Sequence, residues 1–266
     1  MDQISAAMHD IAEIDTLAAG NSFLHRRHPL PKLLITILYI FTVVSFPTEQ
    51  LSGILPMILV PVVLYQLADI PVSTCFYKLR FILPLVCAVG IWNPILNRTP
   101  ALQMGRFVVT AGMISFVTLL LKGILSLMMS FLLIAVTSIE KICYALRLLH
   151  VPKILVTQTL ITFRYISLLL HEAGTMFQAY QLRAPGQKGV HISAWGSFLG
   201  QLLLRSMDRA GELYQSMELR GFRGSFYYAD VKHAGKADYM YFIVMAAVLL
   251  LFRSVNISIL IGTIFS

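Results

Sequence analysis

The chain has 266 residues, 57% of them hydrophobic and only 13% charged, with a mean hydropathy of +0.75. A soluble domain carries roughly a quarter charged residues, so this composition excludes one, and apolar runs broken by polar stretches describe a multi-span membrane protein. In such a chain the net charge of +8 reflects Lys and Arg held on the cytoplasmic side and argues against a nucleic-acid partner.

The first residues, "MDQISAAMHDIAEIDTLAAG", carry acids instead of a basic region ahead of an apolar core. They are expected to form a short amphipathic segment, not a signal peptide. Candidate membrane spans follow at Leu30–Phe46, Leu51–Ala68, Phe81–Leu96, Met113–Thr137 and Tyr239–Ile264. The count is five, with four to six open. Some are short for an apolar core about 30 Å thick. Pro56, Pro61 and Pro84 suggest kinks, which neighbouring helices can tolerate. Lys122 and Arg253 interrupt the last two spans; each is expected to mark an interface and snorkel to the headgroups, and the Lys122 segment is open to being two pieces.

Arg26, Arg27 and Lys32 precede the first span, "PTEQ" after it has no basic residue, and Lys78 and Arg80 precede the third. The positive-inside rule places the N-terminus in the cytoplasm, with Arg98 and Arg106 in the outer loop against it. The stretch from Ile139 to Asp238 is then cytoplasmic, and Lys and Arg outnumber Asp and Glu there by 12 to 7. The expected organisation is an amphipathic segment (1–29), four membrane helices (30–138), a cytoplasmic helical region (139–238) and a last membrane helix (239–266).

Within the cytoplasmic region "TSIE" at Thr137–Glu140 has the capping-box form and predicts a helix start. Pro152 opens a helix over Lys153–Arg183, on which Thr157, Arg164, His171 and Gln178 form a narrow polar stripe. A rod with so little polar surface must be largely covered, by helices or by the membrane face. After "APGQKG" a more evenly amphipathic helix runs over Ser193–Arg220. Leu199, Leu203, Met207, Ala210, Tyr214 and Met217 make its apolar stripe, Gln201, Arg205, Asp208, Glu212 and Gln215 its polar one. Gly221 and Gly224 end it.

Both helices end alike. "FQAYQLRA" (Phe177–Ala184) and "YQSMELRG" (Tyr214–Gly221) lie 37 positions apart and share Gln-x-x-x-Leu-Arg-small behind an aromatic residue. Met176, Tyr180 and Arg183 follow the spacing of one helix face, as do Leu213, Met217 and Arg220. Each helix therefore ends in an apolar ledge beside an Arg. That Arg either caps its own helix or offers its fork to carboxylates or carbonyls of a partner. The duplication favours docking.

No Asp or Glu lies deep in any candidate span, so coupling to an ion gradient through a buried acid is not expected. No P-loop is present. His25 and His28 lack neighbouring ligands, His150, His171, His191 and His233 are scattered, and neither a metal site nor a catalytic constellation is expected. Cys75, Cys87 and Cys143 form no disulfide framework.

"IDTLAAGNSFLHRRHPLPKLL" (Ile14–Leu34), "ALRLLHVPK" (Ala145–Lys153), "FRYISLLLHEAG" (Phe163–Gly174), "LLLRSMDRA" (Leu202–Ala210) and "SMELRGFRG" (Ser216–Gly224) resemble the signatures of a known family. It is the transmembrane T component of energy-coupling factor transporters (CbiQ/EcfT), most closely the cobalt-type CbiQ branch. The resemblance covers most of the chain and is weakest in the outer loop and last span.

It implies an all-α integral membrane protein that is a non-catalytic subunit of an ATP-driven importer in the cell membrane. Its expected partners are two ATPase subunits and a separate substrate-capture subunit (CbiM-like, with or without a CbiN-like one). No cofactor is expected in this chain, since ATP is bound by the partner ATPases. Arg183 with Leu182 and Ala184, and Arg220 with Leu219 and Gly221, would enter grooves on the two ATPase subunits. Ala184 and Pro185 depart from the usual Gly and would alter the first turn. Cobalt is the implied substrate, with nickel or a vitamin as alternatives. The rival readings are a direct permease, a membrane enzyme and a structural anchor.

Overall fold

The computed structural model describes residues 9, 12–13, 15–48, 51–80, 82–92, 100–104, 107–186, 189–224, 226 and 234–254. The protein is a helical membrane protein, and among the described residues one pair of short antiparallel strands accompanies the helices. Its chain divides into two compact units, Ala18–Thr137 with Lys232–Ser266, and Met1–Leu17 with Ser138–Val231.

The first unit holds α1 (Pro29–Val44), α2 (Leu51–Ile54), a 3-10 turn (Leu55–Ile58), α3 (Leu59–Leu67), α4 (Val72–Leu79), α5 (Leu83–Gly90), α6 (Ala111–Val136) and α10 (Lys236–Ser254). The antiparallel strands β1 (Pro100–Met104) and β2 (Phe107–Thr110) lead into α6. Helix α6 packs on α1 and on α2 to α5, while α10 lies along α1. The core between them includes Leu33, Ile35, Tyr39 and Val43 of α1, Met57, Leu64 and Tyr65, and Leu125, Met128 and Leu132 of α6. Two buried tyrosines tie the helices together: Tyr39 Oη donates to Met57 O (3.0 Å) and Tyr65 Oη to Met128 O (3.0 Å). Each pairs a fully buried phenol with a backbone carbonyl.

Pro29 and Pro84 sit where a helix begins, in the first turns of α1 and α5. A missing N–H costs nothing at those positions. The expected second span runs without a gap through α2, the 3-10 turn and α3, the helix tightening over Leu55–Ile58, where Pro56 stands. Of the expected third span only α5 is a described helix; Phe81 and residues 93–96 lie outside the described residues, as do Arg98, Arg106, His233, residues 1–8, 10, 11 and 14 of the N-terminal segment and residues 255–264 of the last span.

Helix α6 is continuous for 26 residues, so Lys122 does not divide it. Nor do Lys122 and Arg253 reach freely outward. Lys122 Nζ donates to Val44 O (3.2 Å) and Phe46 O (2.5 Å), and Arg253 Nη2 to Ser45 O (3.3 Å). The end of α1 offers unsatisfied carbonyls carrying partial negative charge, which is what holds them. At the other end of α1, buried Lys32 donates to Val136 O (3.0 Å) and Arg27 faces Asp238 at 3.7 Å. By length and composition α6, α8 (Lys153–Arg183) and α10 can cross a membrane, and α1 is a shorter apolar helix.

The second unit holds α7 (Ile139–Leu148), α8 and α9 (Ile192–Leu219). The expected capping box does not form. Ser138 takes the N-cap position of α7 without a side-chain hydrogen bond, and Thr137 Oγ1 is buried without a partner. Helix α7 packs on α8, burying Cys143 and Ala145, and Arg147 Nη1 donates to Phe226 O (2.6 Å).

Candidate functional site

Helices α8 and α9, of 31 and 28 residues, form an antiparallel hairpin. Gly186 (φ +90°) and Gly189 (φ +84°) make its turn with backbone that side chains with a Cβ rarely adopt. His191 then caps α9, its Nδ1 accepting from Ser193 N (3.3 Å), and Trp195 Nε1 donates to Val190 O (3.1 Å). Midway along, Arg205 of α9 is ion-paired with Glu172 of α8.

The polar stripe of α9 faces α8, while of the apolar stripe only Met217, at its end, lies beside Ile161 and Tyr165 of α8. Gln201, Arg205, Asp208 and Glu212 line the space between the two helices. Leu199, Leu203, Met207 and Tyr214 are 52–64% exposed, and no residue of α9 is buried. On α8 only Val156 is buried. The cover that so apolar a pair requires is therefore not supplied by the described residues of this chain.

The hairpin sends the two similar helix ends in opposite directions. Arg183 lines a cavity of about 470 Å³ with Tyr180, Ala194, Phe198 and Gln201. Arg220 lines another of about 540 Å³ with Ile161, Arg164, Tyr165, Met217 and Phe222. Because Arg220 shares its cavity with Ile161, the two arginines are separated by most of α8, roughly 33 Å at 1.5 Å per residue. Neither guanidinium makes a hydrogen bond or ion pair with a described residue. The last carbonyls of both helices are met by backbone N–H instead, Ala184 N to Tyr180 O (3.0 Å) and Gly221 N to Glu218 O (2.9 Å). Self-capping thus does not account for these arginines. Beside them Leu182 is 85% exposed and Leu219 is 89% exposed.

The turns beyond the two arginines differ. Gly221 takes φ +78° directly after Arg220, whereas Ala184 after Arg183 has φ −127° and ψ 67° and the first left-handed residue comes only at Gly186. Sequence reasoning gave Arg164 only as part of a polar stripe; its place beside Arg220 depends on the hairpin register. The Glu172–Arg205 pair was also missed, since its partners lie 33 residues apart.

The histidines have local structural roles: His25 Nδ1 lies 2.7 Å from Ser22 Oγ, and His28 caps α1. Among the described residues no group of three His, Cys, Asp or Glu is arranged to hold a metal.

The family model for CbiQ, cobalt transport protein, matches residues 20–228, which include the whole hairpin. An uncharacterized protein of Methanocaldococcus jannaschii is 23% identical over 236 residues, covering 83% of this chain and 80% of that one. The energy-coupling factor transporter transmembrane protein EcfT of Leuconostoc gelidum subsp. gasicomitatum is 26% identical over 230 residues, 79% of this chain and 83% of its own. A shorter match, 28% over 104 residues, covers 39% of this chain and 38% of the nickel permease LarQ of Lactiplantibacillus plantarum. With the model matched over most of its length, and over both arginine-bearing helix ends, this chain belongs to the CbiQ family of cobalt transport proteins.

Proposed function

We propose that the chain is the transmembrane scaffold and coupling subunit of an ATP-driven importer of the energy-coupling factor type. In this reading it is not an enzyme, and it holds neither ATP nor substrate. Its N-terminus and hairpin are cytoplasmic, and Arg183 and Arg220, with Leu182, Ala184, Leu219 and Gly221, engage two ATPase subunits. A separate membrane subunit captures the substrate. The observation carrying this reading is the pair of similar helix ends, each with an exposed Leu and a guanidinium without a partner among the described residues, held apart by the antiparallel hairpin.

Two similar ends suit two similar grooves on an ATPase dimer. Groove closure would change the separation of the ends and tilt the hairpin. An Arg fork meeting a carboxylate or carbonyl gives each end direction as well as affinity. The exposed stripe of α9 supplies a further apolar surface for an assembly partner. Cobalt is the proposed substrate, from the family. Nickel is the second reading, from the relative named as a nickel permease.

The test is a pull-down from detergent-solubilised membranes, comparing wild type with Arg183→Glu/Arg220→Glu. ATPase subunits with wild type and not with the variant are expected. Retention by both reduces the arginines to a local role, and absence from both returns the reading to a direct permease. Uptake of radioactive cobalt against nickel by the whole complex decides the substrate.

A further inference from the structure

We infer that Arg164 and Arg220 act as one clamp for a carboxylate-bearing segment of a single ATPase subunit, so that the two helix ends grip their partners unequally. This rests on the coupling function proposed above and adds a second residue to one of its two contacts. Arg164 stands in the first half of α8 and Arg220 closes α9, and the hairpin brings both to one cavity of about 540 Å³. Both arginines are exposed, while Ile161, Met217 and Phe222 of the same cavity are half-buried. Arg147 of α7 donates to Phe226 O (2.6 Å), which fixes another wall.

No acid among the described residues answers these two cations. Neither guanidinium makes a hydrogen bond or ion pair with a described residue. Helix α8 has no Asp or Glu before Glu172, and Glu172 is taken by Arg205. Glu218, in the last turn of α9, does not line the cavity. Like charges gathered in one cavity repel, and an opposite charge brought between them stabilises both. One carboxylate suffices, since its two oxygens offer about four acceptor sites and a guanidinium fork fills two of them.

The Arg183 end is built differently. Its cavity of about 470 Å³ also holds a second arginine, Arg205, but that one is ion-paired with Glu172. One end therefore presents two uncommitted guanidiniums and the other presents one.

The apolar lining selects a protein segment over a free anion. A small inorganic anion satisfies the cations and leaves Ile161, Met217 and Phe222 wet. A segment carrying an acid beside an apolar side chain meets the cations and covers that lining at once. Leu219, next to Arg220 and 89% exposed, extends the apolar surface towards the same partner.

The full chain is immobilised in detergent with its ATPase subunits, and the affinity for them is measured. Arg164→Gln should weaken it about tenfold, as for loss of a charge-assisted hydrogen bond. If both arginines hold one carboxylate, Arg164→Gln/Arg220→Gln should lose less than the product of its two single losses. Arg164→Gln/Arg183→Gln should lose the full product. Arg164→Lys keeps the charge and supplies an amine. A carbodiimide, taking up the water released, should then join position 164 through an amide bond to an Asp or Glu of an ATPase subunit. A merely structural role for Arg164 gives no such cross-link. Equal affinity in wild type and Arg164→Gln, with no cross-link, overturns the clamp and leaves the coupling function standing. A cross-link from position 164 only to this chain or to the capture subunit also overturns it. If wild type binds no ATPase, the clamp and the coupling function fall together.

Discussion

Glu172 of α8 and Arg205 of α9 are ion-paired midway along the hairpin, 33 residues apart in sequence. The pair joins two helices that otherwise leave open space between them on either side. Its side chains are 30% and 47% exposed, so water screens it. A double-mutant cycle on thermal unfolding in detergent should give a coupling of about 0.5 kcal/mol, as for other exposed pairs. Uptake should respond more strongly than stability, because the pair sets the register of the two arginine-bearing ends. A coupling several times larger, with unchanged transport in Glu172→Gln, would make the pair a fold determinant instead.

The two helix ends should answer differently to the same exchange. Gly221→Ala places a Cβ on backbone at φ +78° and is expected to cost about 1 kcal/mol locally and redirect Arg220. Ala184→Gly removes a methyl from a residue at φ −127° and should be tolerated. Uptake by the assembled transporter measures both. Equal loss from the two variants would show that the residue after each Arg acts by contact and not by backbone conformation.

Glycines in the helices separate into two kinds. A Cβ on Gly90 of α5 would lie 2.8 Å from the Phe116 ring of α6, and one on Gly123 would lie 3.0 Å from Val86. Gly90→Ala should therefore destabilise by about 1–3 kcal/mol through overpacking. Around Gly200 and Gly211 of α9 a Cβ meets nothing within 4 Å. Alanine at either is expected to stabilise the isolated chain by up to about 1 kcal/mol through helix propensity. Unfolding temperatures of the purified variants check both signs. Transport lost in Gly200→Ala, with stability gained, would locate a partner's close approach on α9.

Cys143 is buried in α7, and burial together with nearby Glu140 raises its thiol pKa above the usual 9.0. The reactive thiolate is thus scarcer at pH 8 than for an ordinary cysteine and becomes abundant only at higher pH. Maleimide labelling of native protein carrying Cys143 alone should be slow at pH 7–8, rise at higher pH and become fast on denaturation. Rapid native labelling at pH 7 would show that α7 opens.

The helical membrane character, the positions of the main helices and the duplicated Leu-Arg ends were all legible in the sequence, because hydropathy runs, helix periodicity and repeated motifs are local properties. The prolines were legible as punctuation but not in their effect. Pro56 lies inside a helical run that is continuous over 51–67 and takes a 3-10 turn there, and Pro84 stands in the first turn of α5. Thr137 matched a capping box that Ser138 displaced, since burial of the preceding side chain overrode a local preference.

What the sequence alone determined is the chemistry available at each point along the chain, down to the exposed-type ledge and Arg at each helix end. Tertiary structure alone decided what those groups meet. The antiparallel hairpin sets Arg183 and Arg220 at opposite ends and Arg164 beside the second. Packing of α6 and α10 on α1 brought two isolated membrane charges, Lys122 and Arg253, onto the carbonyls of Val44–Phe46. Partners 33, 78 and 208 residues apart leave no periodic trace, because their meeting depends on how helices pack and not on the spacing within any one of them.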